Sequence, residues 1–203
     1  MTPPTIKLLL ITDSKRFENN QAMLKVLEQG LQGGVDTILL REKALDSAKL
    51  LALASHVRLL TQQYGAKLMI HSQADIAQAV NADGVHLDSS SIAEIRKIKG
   101  WLNNDMLLSA SCHNEKELTQ AEHQDADFVL LSPVFPTQSH PGAPSLGAEK
   151  FLSLAQKVTI PVVALGGIDK NNKHQLKGIG LATMGGILDA KDPMQAAQVL
   201  CSN

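Results

Sequence analysis

The feature that most limits what this chain can become is a recurring run of four or five apolar residues, closed by small or polar side chains and followed by a segment of helical length. The runs lie at about Lys7–Ile11, Asp36–Leu40, Lys67–Ile70, Gly84–Leu87, Leu107–Ala110, Phe128–Leu131, Pro161–Leu165 and Gly180–Met184. A strand with one wet face alternates apolar and polar residues. A run apolar throughout, such as Phe128–Leu131, suits a strand buried on both faces, as in a parallel sheet covered by helices. Between the runs, Met23, Leu24, Leu27 and Leu31 recur at helical spacing, with Gly30, Gly33 and Gly34 to stop that helix. Further helices are predicted over about Ser47–Tyr64, Ala74–Asn81, Ile92–Lys99, Ala148–Gln156 and Pro193–Cys201, and Asn114 with Glu117 forms a capping box that opens another. Strands that alternate with helices, rather than forming separate blocks, predict an α/β fold, and eight such units suit a (β/α)8 TIM barrel.

At 203 residues the chain is expected to form one domain, 1–203. Aromatic residues make up only 3%, which fits parallel strands under aliphatic helices better than an antiparallel sandwich. A formal net charge of −1 gives no broad field for nucleic acid or an anionic membrane, so an anionic ligand must be held locally. The N-terminal apolar run is too short for a signal segment or a membrane span and reads as the first strand. Cys112 and Cys201 lie far apart with no metal or redox spacing, as expected of a reduced, cytoplasmic setting.

In a parallel barrel the residues just after each strand share one mouth. Two neighbouring units place polar clusters there. The fifth strand runs into Ser111-Cys112-His113, and the sixth into Ser132-Pro133 and a loop carrying Thr137, Ser139 and His140. Taken singly, His113 also reads as a solvated residue beside a helix start, and the charges Arg41-Glu42-Lys43 after the second strand as a surface loop. His86 lies inside an apolar alternation and is expected to line the barrel. Cys112 is expected in the packing, with the adjacent His113 facing the other way.

Glycine pairs follow both of the last strands, Gly166-Gly167 and Gly185-Gly186. In a parallel barrel these loops frequently hold a phosphate, because backbone N–H groups can approach an anion where no Cβ intervenes. P-loop, dinucleotide, zinc-protease and nucleophile-elbow motifs are absent from the sequence.

In order, LITD, LLREK, ADGVHL, SCH, SPVFPTQSHPGAPSLG and VVALGGI resemble the thiamine phosphate synthase and thiazole tautomerase family over nearly the whole chain. The segments SCHNEKEL and SHPGAPSLG are similar to the synthase-like domain fused behind some bacterial Nudix hydrolases. The resemblance implies a (β/α)8 barrel, usually a homodimer, acting on a thiazole phosphate. The synthase joins a pyrimidine diphosphate to that phosphate and needs magnesium. Arg41 and Lys43 match its pattern, but Leu39 stands where it has Gln. His71-Ser72 replaces its Asn-Asp pair, Ser91 replaces its second magnesium carboxylate, and His140 replaces a Lys, with Thr137 and Ser139 in the hydroxyl positions. Gly185-Gly186 stands where the synthase has Ser then Ala.

The tautomerase branch also lacks the magnesium carboxylates and places a His directly after the fifth strand, as His113 is placed here. The leading expectation is therefore a metal-independent tautomerase-like isomerase with His113 as acid/base. The four glycines would hold the phosphate, Arg41 and Lys43 would bind ligand anions, and Ser111, Thr137, Ser139 and His140 would line the site. Magnesium enters only with the synthase alternative, held by Asp88, Glu42 or Asp13. A third possibility is a non-catalytic domain that binds a thiamine-related phosphate beside a separately encoded Nudix hydrolase.

Overall fold

In the computed structural model, which describes residues 4–102, 105–137, 142 and 144–202, eight parallel strands close into a barrel in chain order. They are β1 (Leu8–Ile11), β2 (Thr37–Leu40), β3 (Lys67–His71), β4 (Gly84–Leu87), β5 (Leu107–Cys112), β6 (Phe128–Leu131), β7 (Val162–Leu165) and β8 (Leu181–Thr183). β1 pairs with β2 on one side and β8 on the other, which closes the ring. The α-helices are α1 (Asn20–Gln32), α2 (Ser47–Gln63), α3 (Ala74–Ala79), α4 (Ile95–Trp101), α5 (Glu115–His123), α6 (Ala148–Ala155), α7 (Gly185–Leu188) and α8 (Pro193–Cys201). The (β/α)8 TIM barrel expected from the repeat is the fold observed.

Period-two geometry explains why the runs are apolar throughout. Leu8, Leu10, Ile38, Leu40, Leu68 and Ile70 pack outward under the helices, whereas Leu9, Ile11, Leu39, Met69, Phe128 and Leu130 fill the barrel. Phe128 is fully buried and supplies much of the bulk that an aromatic-poor chain needs in its interior. Carrying the inward face one step past the filled layer brings Arg41 after Leu39, His71 after Met69 and Ser132 after Leu130. The mouth is thus the continuation of the barrel's inner face.

The longer helices have recognisable starts. Asn19, Asp46, Asn114 and Asp192 each accept a backbone N–H from the first turn of α1, α2, α5 and α8, each worth about 1 kcal/mol to its helix. Three segments depart from the expected pattern. The stretch after β4 is a 3-10 turn over Ser89–Glu94 before α4 begins, β5 runs on to Cys112, and β7 connects to β8 through only a 3-10 turn, Lys173–Leu176. Among the described residues no helix is long and apolar enough to cross a membrane.

Candidate active site at the carboxyl end of the barrel

A cavity of about 640 Å³ opens at the carboxyl ends of the strands. Arg41, Ser111, His113, Thr137, Gly166, Gly167, Gly185 and Gly186 all line it, so eight residues singled out from widely separated parts of the sequence share one wall. Ser139 and His140 lie outside the described residues. Lys43 is placed differently from expectation. It does not line the cavity, and its Nζ lies 3.2 and 3.1 Å from the two oxygens of Asp88.

The glycines are required by packing as well as by any ligand. Gly167 has φ +65°, and a Cβ there would lie 2.3 Å from the carbonyl oxygen of Pro136. A Cβ on Gly186 would lie 2.6 Å from Thr183 Oγ1. Among the described residues no protein acceptor takes the backbone N–H of Gly167, Gly185 or Gly186. Three donors at the β7 and β8 corner therefore remain available to an anion.

Arg41 supplies a second, charged donor for an anion at the same mouth. Its guanidinium has no hydrogen-bonding or ion-pair partner among the described residues, while its backbone N–H is held by Thr12 Oγ1 at 3.0 Å. The neighbouring Glu42 is structural. Buried at 8% exposure, it accepts from Thr12 Oγ1 at 2.6 Å and from the Ser14 backbone, tying the loop after β1 to the end of β2. Of the three charges at this strand end, one faces the cavity, one braces the loops and one pairs with Asp88.

His113 is held through both its backbone and its ring. Its backbone N–H donates to Glu117 Oε2 at 2.8 Å, a variant of the expected capping box in which the glutamate reaches one residue further back. Its Nδ1 lies 2.9 Å from the carbonyl oxygen of Ser132. A carbonyl only accepts, so Nδ1 carries a proton, and in the neutral ring the lone pair belongs to Nε2.

Beneath it, His86 is 2% exposed and bonded through both nitrogens, Nδ1 to Ser109 Oγ at 2.8 Å and Nε2 to Ser111 Oγ at 2.9 Å. Burial, aided by the nearby His71, pushes its pKa down to about 3, so the ring is neutral at ordinary pH. The sequence placed His86 in the barrel lining, and that is where it sits; its contacts at the cavity floor were not foreseen. Burial likewise pushes His71 below its ordinary value, against the pull of Asp88. Burial alone would raise the Asp88 carboxyl, but hydrogen bonds from Lys43 and His71 outweigh it and hold the group below its usual range. Cys112 is buried among the outer core residues beside exposed His113, and burial pushes its thiol up to about 12.

The carboxylates do not fit a magnesium site built by the protein. Among the described residues no cluster of three or more His, Cys, Asp or Glu is arranged to hold a metal. Asp88 is occupied by Lys43 and His71. Asp169, also on the cavity wall, turns Oδ1 back to the N–H groups of Asn171 and Asn172. Glu42 is occupied by Thr12 and Ser14. Each would have to surrender a partner to take a cation.

Comparisons with known proteins match the whole barrel. The family model described as thiamine monophosphate synthase matches residues 8–187. A thiamine-phosphate synthase of Methanobrevibacter smithii is 34% identical over 198 residues, 96% of this chain and 93% of that protein. A putative thiamine-phosphate synthase 2 of Aquifex aeolicus is 39% identical over 183 residues, covering 86% and 96%. A solved structure of thiamine phosphate pyrophosphorylase from Pyrococcus furiosus superimposes with a TM-score of 0.86 at 31% identity, over 97% of this chain and 94% of that one. These relatives are named as synthases rather than isomerases, so the expectation that put the tautomerase first is corrected and the synthase alternative leads. Arg41, the strand-end serine and the paired glycines thus occupy the mouth of a chain that belongs to the thiamine monophosphate synthase family.

Proposed function

We propose that this chain joins a pyrimidine diphosphate to a thiazole phosphate, forming thiamine phosphate and releasing pyrophosphate. The end-to-end match to proteins named thiamine-phosphate synthase carries this reading. The cavity supports it with two separate provisions for anions. The N–H groups of Gly167, Gly185 and Gly186 suit the monophosphate of the thiazole, and the Arg41 guanidinium at the end of β2 suits the diphosphate, whose charge grows as its bond to the pyrimidine breaks. Ser111 and His113 line the space between.

No step is assigned to magnesium, because the carboxylates present are already engaged. The test incubates purified protein with hydroxymethylpyrimidine diphosphate and thiazole phosphate, with magnesium or with a chelator. Thiamine phosphate formed in either tube supports the reading, and the comparison between tubes states the metal requirement. No product under any condition overturns it.

One observation keeps the isomerase as a second reading. The bond from His113 Nδ1 to Ser132 leaves a ring lone pair at the cavity, as a proton-shifting base needs. The same assay decides the matter when the pyrimidine is withheld and the carboxylated thiazole phosphate tautomer is supplied. Chelator-insensitive isomerisation would return the tautomerase to first place.

A further inference from the structure

We infer that His86 is a positioning residue: it holds Ser111 as a hydrogen-bond acceptor, so that the Ser111 hydroxyl proton points into the cavity and donates to an acceptor atom of the ligand. Ser109 and Ser111 lie two residues apart on β5 and share its inner face, and His86 on β4 stands opposite Ser109 in the sheet register. Each of the two contacts, Nδ1 with Ser109 Oγ at 2.8 Å and Nε2 with Ser111 Oγ at 2.9 Å, needs one proton.

Proton counting separates the two tautomers. The ring is neutral and carries a single N–H, and each serine carries one O–H. If Nδ1 held the ring proton, it would donate to Ser109. The Ser109 proton would then be stranded, because Ser109 is fully buried and His86 is its only hydrogen-bond partner among the described residues. If Nε2 holds the proton, Ser109 donates to Nδ1 and Nε2–H donates to Ser111. Every buried proton then has an acceptor, and the one left over belongs to Ser111, which is half-buried on the cavity wall. The sheet thus orients a surface hydroxyl from below, and the site offers a donor there rather than a lone pair. A phosphoryl oxygen or an aromatic ring nitrogen is the chemistry this accepts. The ligand half of the inference rests on the reading of the cavity as the thiamine phosphate site, while the tautomer does not.

The test has two arms. In the first, long-range 1H–15N correlation spectra of 15N-histidine-labelled protein report the His86 tautomer directly, with the resonances assigned by their loss in His86→Gln. A protonated Nε2 and an unprotonated Nδ1 in the unliganded protein are expected, and the reverse pattern overturns the inference. In the second arm, thiamine phosphate binding is measured by calorimetry. Ser111→Ala and His86→Leu should each weaken it roughly tenfold, as for one lost hydrogen bond to a charged or polar ligand group. The double variant should lose little more than either single one, because His86 acts through Ser111. His86→Gln, whose amide can reach the Nε2 position, should restore binding to within about threefold. Wild-type binding with an unchanged affinity in Ser111→Ala overturns the inference alone. Failure of the wild type to bind thiamine phosphate overturns the ligand half together with the proposed function, and the spectrum still decides the tautomer.

Discussion

The carbonyl oxygen of Ser132 lies 2.9 Å from Nδ1 of His113, across the junction between the ends of β5 and β6. That bond occupies Nδ1 and leaves Nε2 as the other ring nitrogen of a cavity-lining histidine, and the two candidate reactions ask different things of it. As a binding acceptor in the synthase reaction, His113 contributes one hydrogen bond, so His113→Ala should lower kcat/KM roughly tenfold. As the proton carrier of an isomerase, it should be worth ~10²–10⁴ in rate. Steady-state kinetics of the variant in both assays separate the two, and a change under about twofold in both would remove His113 from the site.

Gly167 and Gly178 both have positive φ, +65° and +81°, but only Gly167 is crowded, since nothing lies within 4 Å of a Cβ added at Gly178. Gly178→Ala should cost about 1 kcal/mol, the strain of the backbone alone. Gly167→Ala adds the overlap with Pro136 and should cost more than about 2 kcal/mol. It should also weaken binding of inorganic phosphate. Urea unfolding of the two variants checks the order, and equal losses would mean that the loop carrying Pro136 yields freely.

His86 should make stability fall as pH falls. The unfolded chain protonates this ring near its ordinary value of 6.5, whereas the folded chain does so only near about 3. Between those values the unfolded state binds the extra proton, so stability is lost progressively below the upper one, with a slope approaching about 1.4 kcal/mol per pH unit from this ring. His71, lowered in the same direction, adds to it. Urea midpoints at about pH 7 and about pH 5 should differ less for His86→Gln than for the wild type. An unchanged slope in the variant would place the acid sensitivity elsewhere.

The two cysteines should differ sharply in reactivity. Cys112 is buried with its thiol pushed up to about 12, while Cys201, whose thiol is also raised by partial burial, is exposed at the end of α8. Iodoacetamide at neutral pH should label Cys201 in the native protein and both residues after unfolding. Rapid native labelling of Cys112 would show that the outer face of β5 opens readily, contrary to its packing.

Much of the architecture was legible in the chain. Runs apolar on both faces occur where strands are covered inside and out, and each boundary fell within a residue or two of the observed strand. The glycine pairs, Arg41, Ser111, His113 and Thr137 were readable as cavity-lining residues because they lie at strand ends or in the loops that follow, and a barrel sends all strand ends to one mouth. The four-residue α7 and the 3-10 connection before β8 were not readable, since a single turn shows no helical periodicity.

What the sequence by itself determined is the repeat, and through it the closed parallel barrel and the ring of residues at its mouth. Tertiary structure alone decided which face of each apolar strand turns inward, because Leu9 and Leu10 are equally apolar and only closure of the ring distinguishes them. It also decided the partners of the polar groups. Glu42 meets Thr12 and Ser14, Asp88 meets Lys43 and His71, and His86 meets Ser109 and Ser111 across 17 to 45 residues of chain. Side-chain hydrogen bonds act over about 3 Å. Whether a charge is spent on its neighbour or left for a ligand is therefore settled only when neighbouring strands lie side by side.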